Sequence, residues 1–241
     1  MLCVINDITE RVRMDKQIAR LGQLNLIGEM AAGIAHEIRN PMTTVRGFLQ
    51  LSKTGVNREF ADIMIQELDR ANAIITEFLS LAKNTYSNQK PQQLNGIIEY
   101  LFPLMEAEAV LMDKRVELEL GDCPELMLDE KEIRQLVLNM VNNGLDAMEP
   151  GGVVTLRTYA EPNAGVLEII DQGSGIPDDI LDKIGTPFFT TKDSGTGLGL
   201  AVCYSIANRH KAMIDVRTGK GGTTFTIRFP QRRDESTNLG G

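Results

Sequence analysis

The chain has 241 residues, with 25 Lys and Arg against 33 Asp and Glu and a formal net charge of −8. That length accommodates one large or two small domains with a real core, and the acidic balance, without any basic stripe, excludes a nucleic-acid binder. Three scattered cysteines (Cys3, Cys123, Cys203) and only two histidines give no basis for a disulfide framework or a zinc centre and suit a reducing compartment.

No apolar run approaches the ~20 residues that span a bilayer, and no signal-peptide layout is present. The first residues, Met1-Leu2-Cys3-Val4-Ile5-Asn6-Asp7-Ile8-Thr9-Glu10-Arg11, read as a strand running into a helix and resemble the exit of a PAS sensor module. The expectation is that 1–12 close a missing sensor and that the chain is a cytoplasmic fragment of a membrane-anchored protein.

From about Arg13 to Ser52 the apolar residues keep a heptad. Leu21, Gly28, Ala35, Met42 and Leu49 fall at one seam position, and Leu24, Ala31, Ile38 and Val45 three residues later. Ala61, Leu68, Ile75 and Ala82, with Met64, Ala71 and Phe78, repeat the pattern beyond a short turn at Lys53-Thr54-Gly55-Val56-Asn57. A short turn makes the helices antiparallel neighbours. A hairpin with so long an apolar stripe cannot cover itself, so residues 13–85 predict a homodimer built as a four-helix bundle.

The polar run Tyr86 to Pro91 then predicts a linker over 86–92. Beyond it the pattern becomes mixed α/β over 93–230, followed by a polar tail at 231–241. Helices are expected over Leu94–Met112 (weakened at Pro103), from Asp129 to Met148 behind a capping box, and over Leu198–Arg209. Strands are expected at Val116–Leu120, Val153–Tyr159, Val166–Ile170, Ile214–Val216 and Thr223–Phe229. The fold class is α+β, a helical hairpin followed by an α/β sandwich.

The chemistry concentrates in four stretches. The first is Leu26-Ile27-Gly28-Glu29-Met30-Ala31-Ala32-Gly33-Ile34-Ala35-His36-Glu37-Ile38-Arg39-Asn40-Pro41. With Ala35 and Ile38 on the seam, His36 falls one step round, on the outside of the bundle. Asn40 at i+4 and Thr43 at i+7 share its face. Glu37 can accept a hydrogen bond from the distal ring nitrogen, which fixes the tautomer and sharpens the other nitrogen as a nucleophile. Pro41 removes a helical hydrogen bond, at ~3 kcal/mol in an ordinary interior.

The second stretch sets Gln135, Asn139 and Asn143 on one helix face. The third is Asp171-Gln172-Gly173-Ser174-Gly175 after an apolar strand, and the fourth is Gly195-Thr196-Gly197-Leu198-Gly199 opening a helix. That last spacing is neither a Walker A loop nor a Rossmann fingerprint.

Taken in order, these stretches closely resemble the phosphoacceptor and ATP-site boxes of sensor histidine kinases. The likeness runs from Gly22 to Pro230 and is nearest to the sporulation kinases of endospore-forming bacilli, the KinB type in particular. The resemblance implies ATP-dependent phosphorylation of His36 and transfer to an aspartate of a response regulator. Glu37 would be the acid/base, and Asn40 would orient a water for dephosphorylation of the partner.

The cofactors implied are ATP and Mg²⁺. Asn143 would be the metal ligand, favoured over Asn142 by the spacing, with Asn139 beside it. Asp171 would accept from the adenine amino group, with Gly173 and Gly175 admitting the base and Thr223 or Thr224 supporting it. Gly195, Gly197, Leu198 and Gly199 would hold phosphates at a helix N-terminus. Asp178 to Ser194 would be a lid, from which Lys192 reaches a terminal phosphate.

Implied partners are a second copy, a response-regulator receiver domain and small protein inhibitors that bind the bundle. No nucleic-acid partner is implied, and a membrane only through N-terminal regions outside the chain. His210 reads as structural. Lys211-Ala212 departs from the family's glycine pair and puts a tight turn there in doubt. Rival readings are a plain ATPase of the gyrase/Hsp90 type and a catalytically idle dimeric scaffold.

Overall fold

The structure, a computed structural model, describes residues 38–50, 58–82, 88–192 and 195–231. The chain divides into two compact units, Met1–Thr85 and Tyr86–Gly241. His36, Glu37, the turn at Lys53–Asn57, the PAS-like start and the tail beyond 231 lie outside the described residues.

In the first unit, residues 38–50 form helix α1 and Arg58–Ala82 helix α2. The rings of Phe48 and Phe60 meet with centroids 5.0 Å apart. Val45, Met64 and Ala71, three members of one expected seam row, are buried, as is Ile74. The other row is uncovered: Met42, Leu49, Leu68 and Ile75 are 49%, 54%, 42% and 39% exposed. Two helices have one mutual interface, so only one of the two seam rows can be satisfied within it.

The second unit runs β1(Lys90–Gln92), α3(Leu94–Leu111), β2(Arg115–Leu120), β3(Leu126–Leu128), α4(Glu130–Asp146), β4(Val153–Glu161), β5(Ala164–Ile170), α5(Asp178–Leu181), α6(Gly199–Arg209), β6(Met213–Gly219) and β7(Gly222–Pro230). Five strands form a mixed sheet in the order β2-β4-β5-β7-β6, in which only β2 and β4 are parallel. Side chains alternate across it. Val154, Leu156, Leu167, Ile169, Phe225, Ile227 and Phe229 are buried in the core, beneath α3, α4 and α6.

The opposite face is polar. Arg157 Nε pairs with Glu119 at 2.6 Å and its Nη1 lies 3.5 Å from Glu168, while Arg228 pairs with Glu161 and Asp215. An antiparallel sheet with one solvated face takes this pattern. Helix α3 runs through Pro103 because Leu94, Ile97, Ile98, Leu101, Met105 and Ala109 form a continuous buried stripe on its other side.

Two sequence expectations are corrected. The predicted linker 86–92 is only partly a linker, since Lys90–Gln92 pairs antiparallel with β3. Asn88 N–H also donates to Asp129 Oδ2 at 2.9 Å, and Gln89 Nε2 to the Arg209 carbonyl at 2.9 Å. A three-residue strand containing a proline carries no periodicity to read. The turn after α6 does form without glycine: Lys211 takes φ 55°, and Ala212 N–H reaches the Ala207 carbonyl at 2.8 Å.

Among the described residues, no helix is long and apolar enough to cross a membrane.

Candidate active site

Helix α4 carries the asparagine face, and both of its ends are held by other elements. At its start, Asp129 Oδ1 accepts from Lys131 N–H (3.1 Å) and Glu132 N–H (3.4 Å), satisfying two donors the helix itself leaves open. The Asp129 N–H donates to Nε2 of buried His210 at 3.0 Å, and His210 Nδ1 lies 2.9 Å from the Ile206 carbonyl. That geometry requires neutral imidazole with its proton on Nδ1. Burial lowers the His210 pKa, opposed by the Ile206 carbonyl and by Glu132 and Asp129. Glu132 pairs with Arg209 at 2.9 Å. At the far end, buried Lys114 donates from Nζ to the Leu145 carbonyl at 2.6 Å, placing a cation on the negative end of the helix.

Asn139 and Asn143 point from α4 toward the glycine-rich segments. Asn139 Nδ2 donates to the Gly199 carbonyl at 3.2 Å, tying α4 to the start of α6. Asn143 Oδ1 accepts from Lys192 Nζ at 3.1 Å, and the same ammonium pairs with Asp146 Oδ2 at 2.7 Å. Asn142 is exposed, off this face. Two side-chain oxygens one helical turn apart thus converge on one cation, here an ammonium. Such a donor set fits a hard divalent ion that takes oxygen ligands.

Asp171 stands where β5 ends, 7% exposed. Its Oδ1 accepts from Gly173 N–H (2.8 Å) and Thr223 N–H (3.0 Å); Oδ2 has no protein donor among the described residues. Burial raises the Asp171 pKa, partly offset by those two N–H groups. A carboxylate with one oxygen fixed and the other free suits an amino donor such as that of adenine.

The glycines around it are compelled by space. Gly173 faces the Ala147 carbonyl, which a Cβ would meet at 2.6 Å; at Gly175 (φ 80°) a Cβ would lie 2.2 Å from the Gly219 carbonyl. Thr223 is buried on the same face, its hydroxyl 3.1 Å from that of Thr218, which accepts from Ile176 N–H at 2.7 Å. Thr224, the alternative to Thr223, belongs to the opposite face, because strand side chains alternate; it stands across from Ile170 and Arg217. Thr218 was missed by the sequence reading. Its signal was available in the tight β6–β7 turn, whose register sets Thr218 opposite Thr223.

Helix α6 begins at Gly199 with no side-chain cap, so its first N–H groups and positive dipole end face the cleft. Leu198 is buried, its N–H on Thr196 Oγ1 at 3.3 Å. Gly197 (φ 67°) packs against the Phe188 backbone, which a Cβ would approach to 2.5 Å, and Phe188 N–H donates to the Gly197 carbonyl at 3.0 Å. Gly195 sits over Thr190, whose Oγ1 a Cβ would meet at 2.6 Å. The segment between α5 and α6 therefore folds back on the glycine run.

In the first unit, Asn40 and Thr43 are both exposed on α1, with the Thr43 hydroxyl on the Arg39 carbonyl at 2.7 Å.

Residues 26–87 match the family described as His Kinase A (phospho-acceptor) domain. Residues 128–233 match the Histidine kinase-, DNA gyrase B-, and HSP90-like ATPase family. The chain belongs to the sensor histidine kinases. It is 36% identical to Sporulation kinase C of Bacillus subtilis (strain 168) over 246 residues, covering 97% of this chain and 58% of that kinase. Identity to Sporulation kinase B of the same strain is 33%, covering 94% and 55%, so the B type is not singled out. Sensor histidine kinase ZraS of Escherichia coli (strain K12) is 35% identical over 92% of this chain and 50% of its own length.

Among solved structures, histidine kinase ThkA, crystallised with response regulator protein TrrA, superposes with a TM-score of 0.79 at 27% identity, covering 96% of this chain and 70% of that one. The chain spans about half the length of the curated relatives it matches.

Proposed function

We propose that this histidine kinase transfers the γ-phosphoryl group of ATP to His36 and passes it on to an aspartate of a response-regulator receiver domain. The observation that carries the nucleotide half is Asp171: a buried carboxylate with one oxygen fixed by Gly173 and Thr223 and the other free, beside an uncapped helix. Adenine is taken by Asp171 with Thr223 behind it. The triphosphate lies at the start of α6, over Gly195, Gly197, Leu198 and Gly199, with Lys192 on the terminal phosphate. Mg²⁺ is held by Asn143, supported by Asn139, and supplies charge neutralisation on the phosphates.

The protein's own contribution is positioning and charge complementarity, which is most of what phosphoryl transfer requires. Glu37 orients the His36 ring and takes its proton. Exposed Asn40, one turn on, directs a water at the partner's aspartyl phosphate in a separate hydrolysis that releases inorganic phosphate. The uncovered row Met42, Leu49, Leu68 and Ile75 supports a homodimeric four-helix bundle, whose outer face also serves receiver domains and small protein inhibitors. Relatives named sporulation kinases support a place in a sporulation phosphorelay, with the remainder of the full-length protein supplying sensing and membrane attachment.

The test is incubation with γ-labelled ATP and Mg²⁺. The expected product is an acid-labile, alkali-stable phosphoprotein that His36→Ala abolishes; label persisting in that variant overturns the assignment.

A further inference from the structure

Asp146 lies outside the motifs that the sequence singles out, yet with Asn143 it holds the one cation of Lys192. Lys192 Nζ sits 2.7 Å from Asp146 Oδ2 and 3.1 Å from Asn143 Oδ1. The backbone of Lys192 is also held: its N–H donates to Thr190 Oγ1 at 3.1 Å, and its carbonyl accepts from Gly195 N–H at 3.3 Å. The Lys192 backbone that carries the ammonium is thus held at both its N–H and its carbonyl.

This contact makes two roles mutually exclusive. A metal on Asn143 Oδ1 and an ammonium on the same oxygen cannot coexist. A dication and a unit charge ~4 Å apart repel by ~2 kcal/mol even at the dielectric constant of water. In this structure the ammonium occupies the cation position. Asp146 and Asn143, three residues apart on α4, share the face that holds it there.

We propose that Asp146 is a positioning residue that parks Lys192 on the metal-binding oxygen of Asn143 until metal and triphosphate arrive together. This rests on the cleft being a Mg²⁺·ATP site. Metal alone must displace the ammonium from Asp146 and Asn143 against the repulsion of like charges. Metal-free ATP can draw Lys192 onto its phosphates but leaves the Asp146 carboxylate bare beside them. Only the pair satisfies every charge: Lys192 passes to the phosphate as the metal takes its place. Asp146 thereby couples metal binding to nucleotide binding.

The test is calorimetric titration with ATP in chelator and with ATP in excess Mg²⁺. An exposed ion pair is worth up to ~1 kcal/mol, so Asp146→Asn should bind metal-free ATP up to about fivefold more tightly, with a smaller change for Mg²⁺·ATP. Asp146→Glu, which keeps the carboxylate, should behave as the unsubstituted protein. Lys192→Gln should uncover both oxygens, so that Mn²⁺ alone binds several-fold more tightly by paramagnetic resonance. If folded Asp146→Asn shows an unchanged metal dependence or weaker binding of metal-free ATP, the proposal falls. If Asp146→Asn does not fold, unchanged Mn²⁺ binding in Lys192→Gln overturns it equally. Failure of the unsubstituted protein to bind either form of ATP would instead refute the nucleotide site itself.

Discussion

At the scale of single residues, Asp171 and His210 set opposite pH dependences. Burial raises the Asp171 pKa, so between its unfolded and folded values the native state holds more protons than the unfolded chain. Its contribution to stability falls as pH rises through that window. His210 is shifted down by burial, so the unfolded chain takes the extra proton and stability is lost as pH falls below about 6.5, the ordinary histidine value. Urea unfolding of the second unit should therefore weaken from pH 7.5 to pH 5, and the slope should flatten in His210→Gln. Asp171→Asn removes the burial penalty on a charge while keeping an oxygen for Gly173 and Thr223. The expected result is an unchanged or higher Tm together with loss of nucleotide binding, because the amide can no longer supply the free carboxylate oxygen.

Lys211 at φ 55° gives a third residue-scale prediction. A side chain in the left-handed region costs roughly 1–2 kcal/mol. Lys211→Gly should raise the midpoint by a few degrees, read by calorimetry.

At the scale of elements, α4 depends on what holds its ends. Losing an N-cap costs typically ~1 kcal/mol and up to ~2. Asp129→Ala removes the cap and also the partner of Asn88, so the upper figure is expected from denaturant unfolding. The α1–α2 hairpin makes the contrasting prediction: Leu68→Glu with Ile75→Glu should yield a monomer by light scattering while helix content is retained, since neither residue is needed inside the hairpin.

The sequence made long periodic elements plain. The apolar stripe of α3 outweighed Pro103, and Asp129 caps α4 as expected, but the capping box closes on one side only, because the Asp129 N–H goes to His210 and Glu132 pairs with Arg209. Short pairings were not legible. β1 and β3 have three residues each, too few for alternation to register, and the recipient of the Asp129 N–H is a histidine 81 positions away in sequence. The site followed the same division. Asp171 and Asn143 stand in motifs that can be picked out locally and Thr218 follows from the tight β6–β7 turn, whereas the meeting of Asp146 with Lys192 joins residues 46 positions apart, which no local pattern encodes.

At the scale of the whole molecule, two compact units predict two separable calorimetric transitions. Only the second should rise with Mg²⁺·ATP, by about 2.7 kcal/mol of apparent stability at a hundredfold excess over Kd, and His36→Ala should leave that shift intact. The manner in which the chain enters the second unit has a mechanical consequence. Residues 88–92 are fastened to Asp129, to the Arg209 carbonyl and to β3. Asp129 is the N-cap of α4, and Arg209 is the last residue of α6. Asn143 lies fourteen residues further along α4, about 20 Å at 1.5 Å per residue. A force that reaches residue 88 is therefore applied to the start of α4 and the end of α6, two helices whose other turns carry Asn143 and Gly199, the residues proposed to meet metal and phosphate.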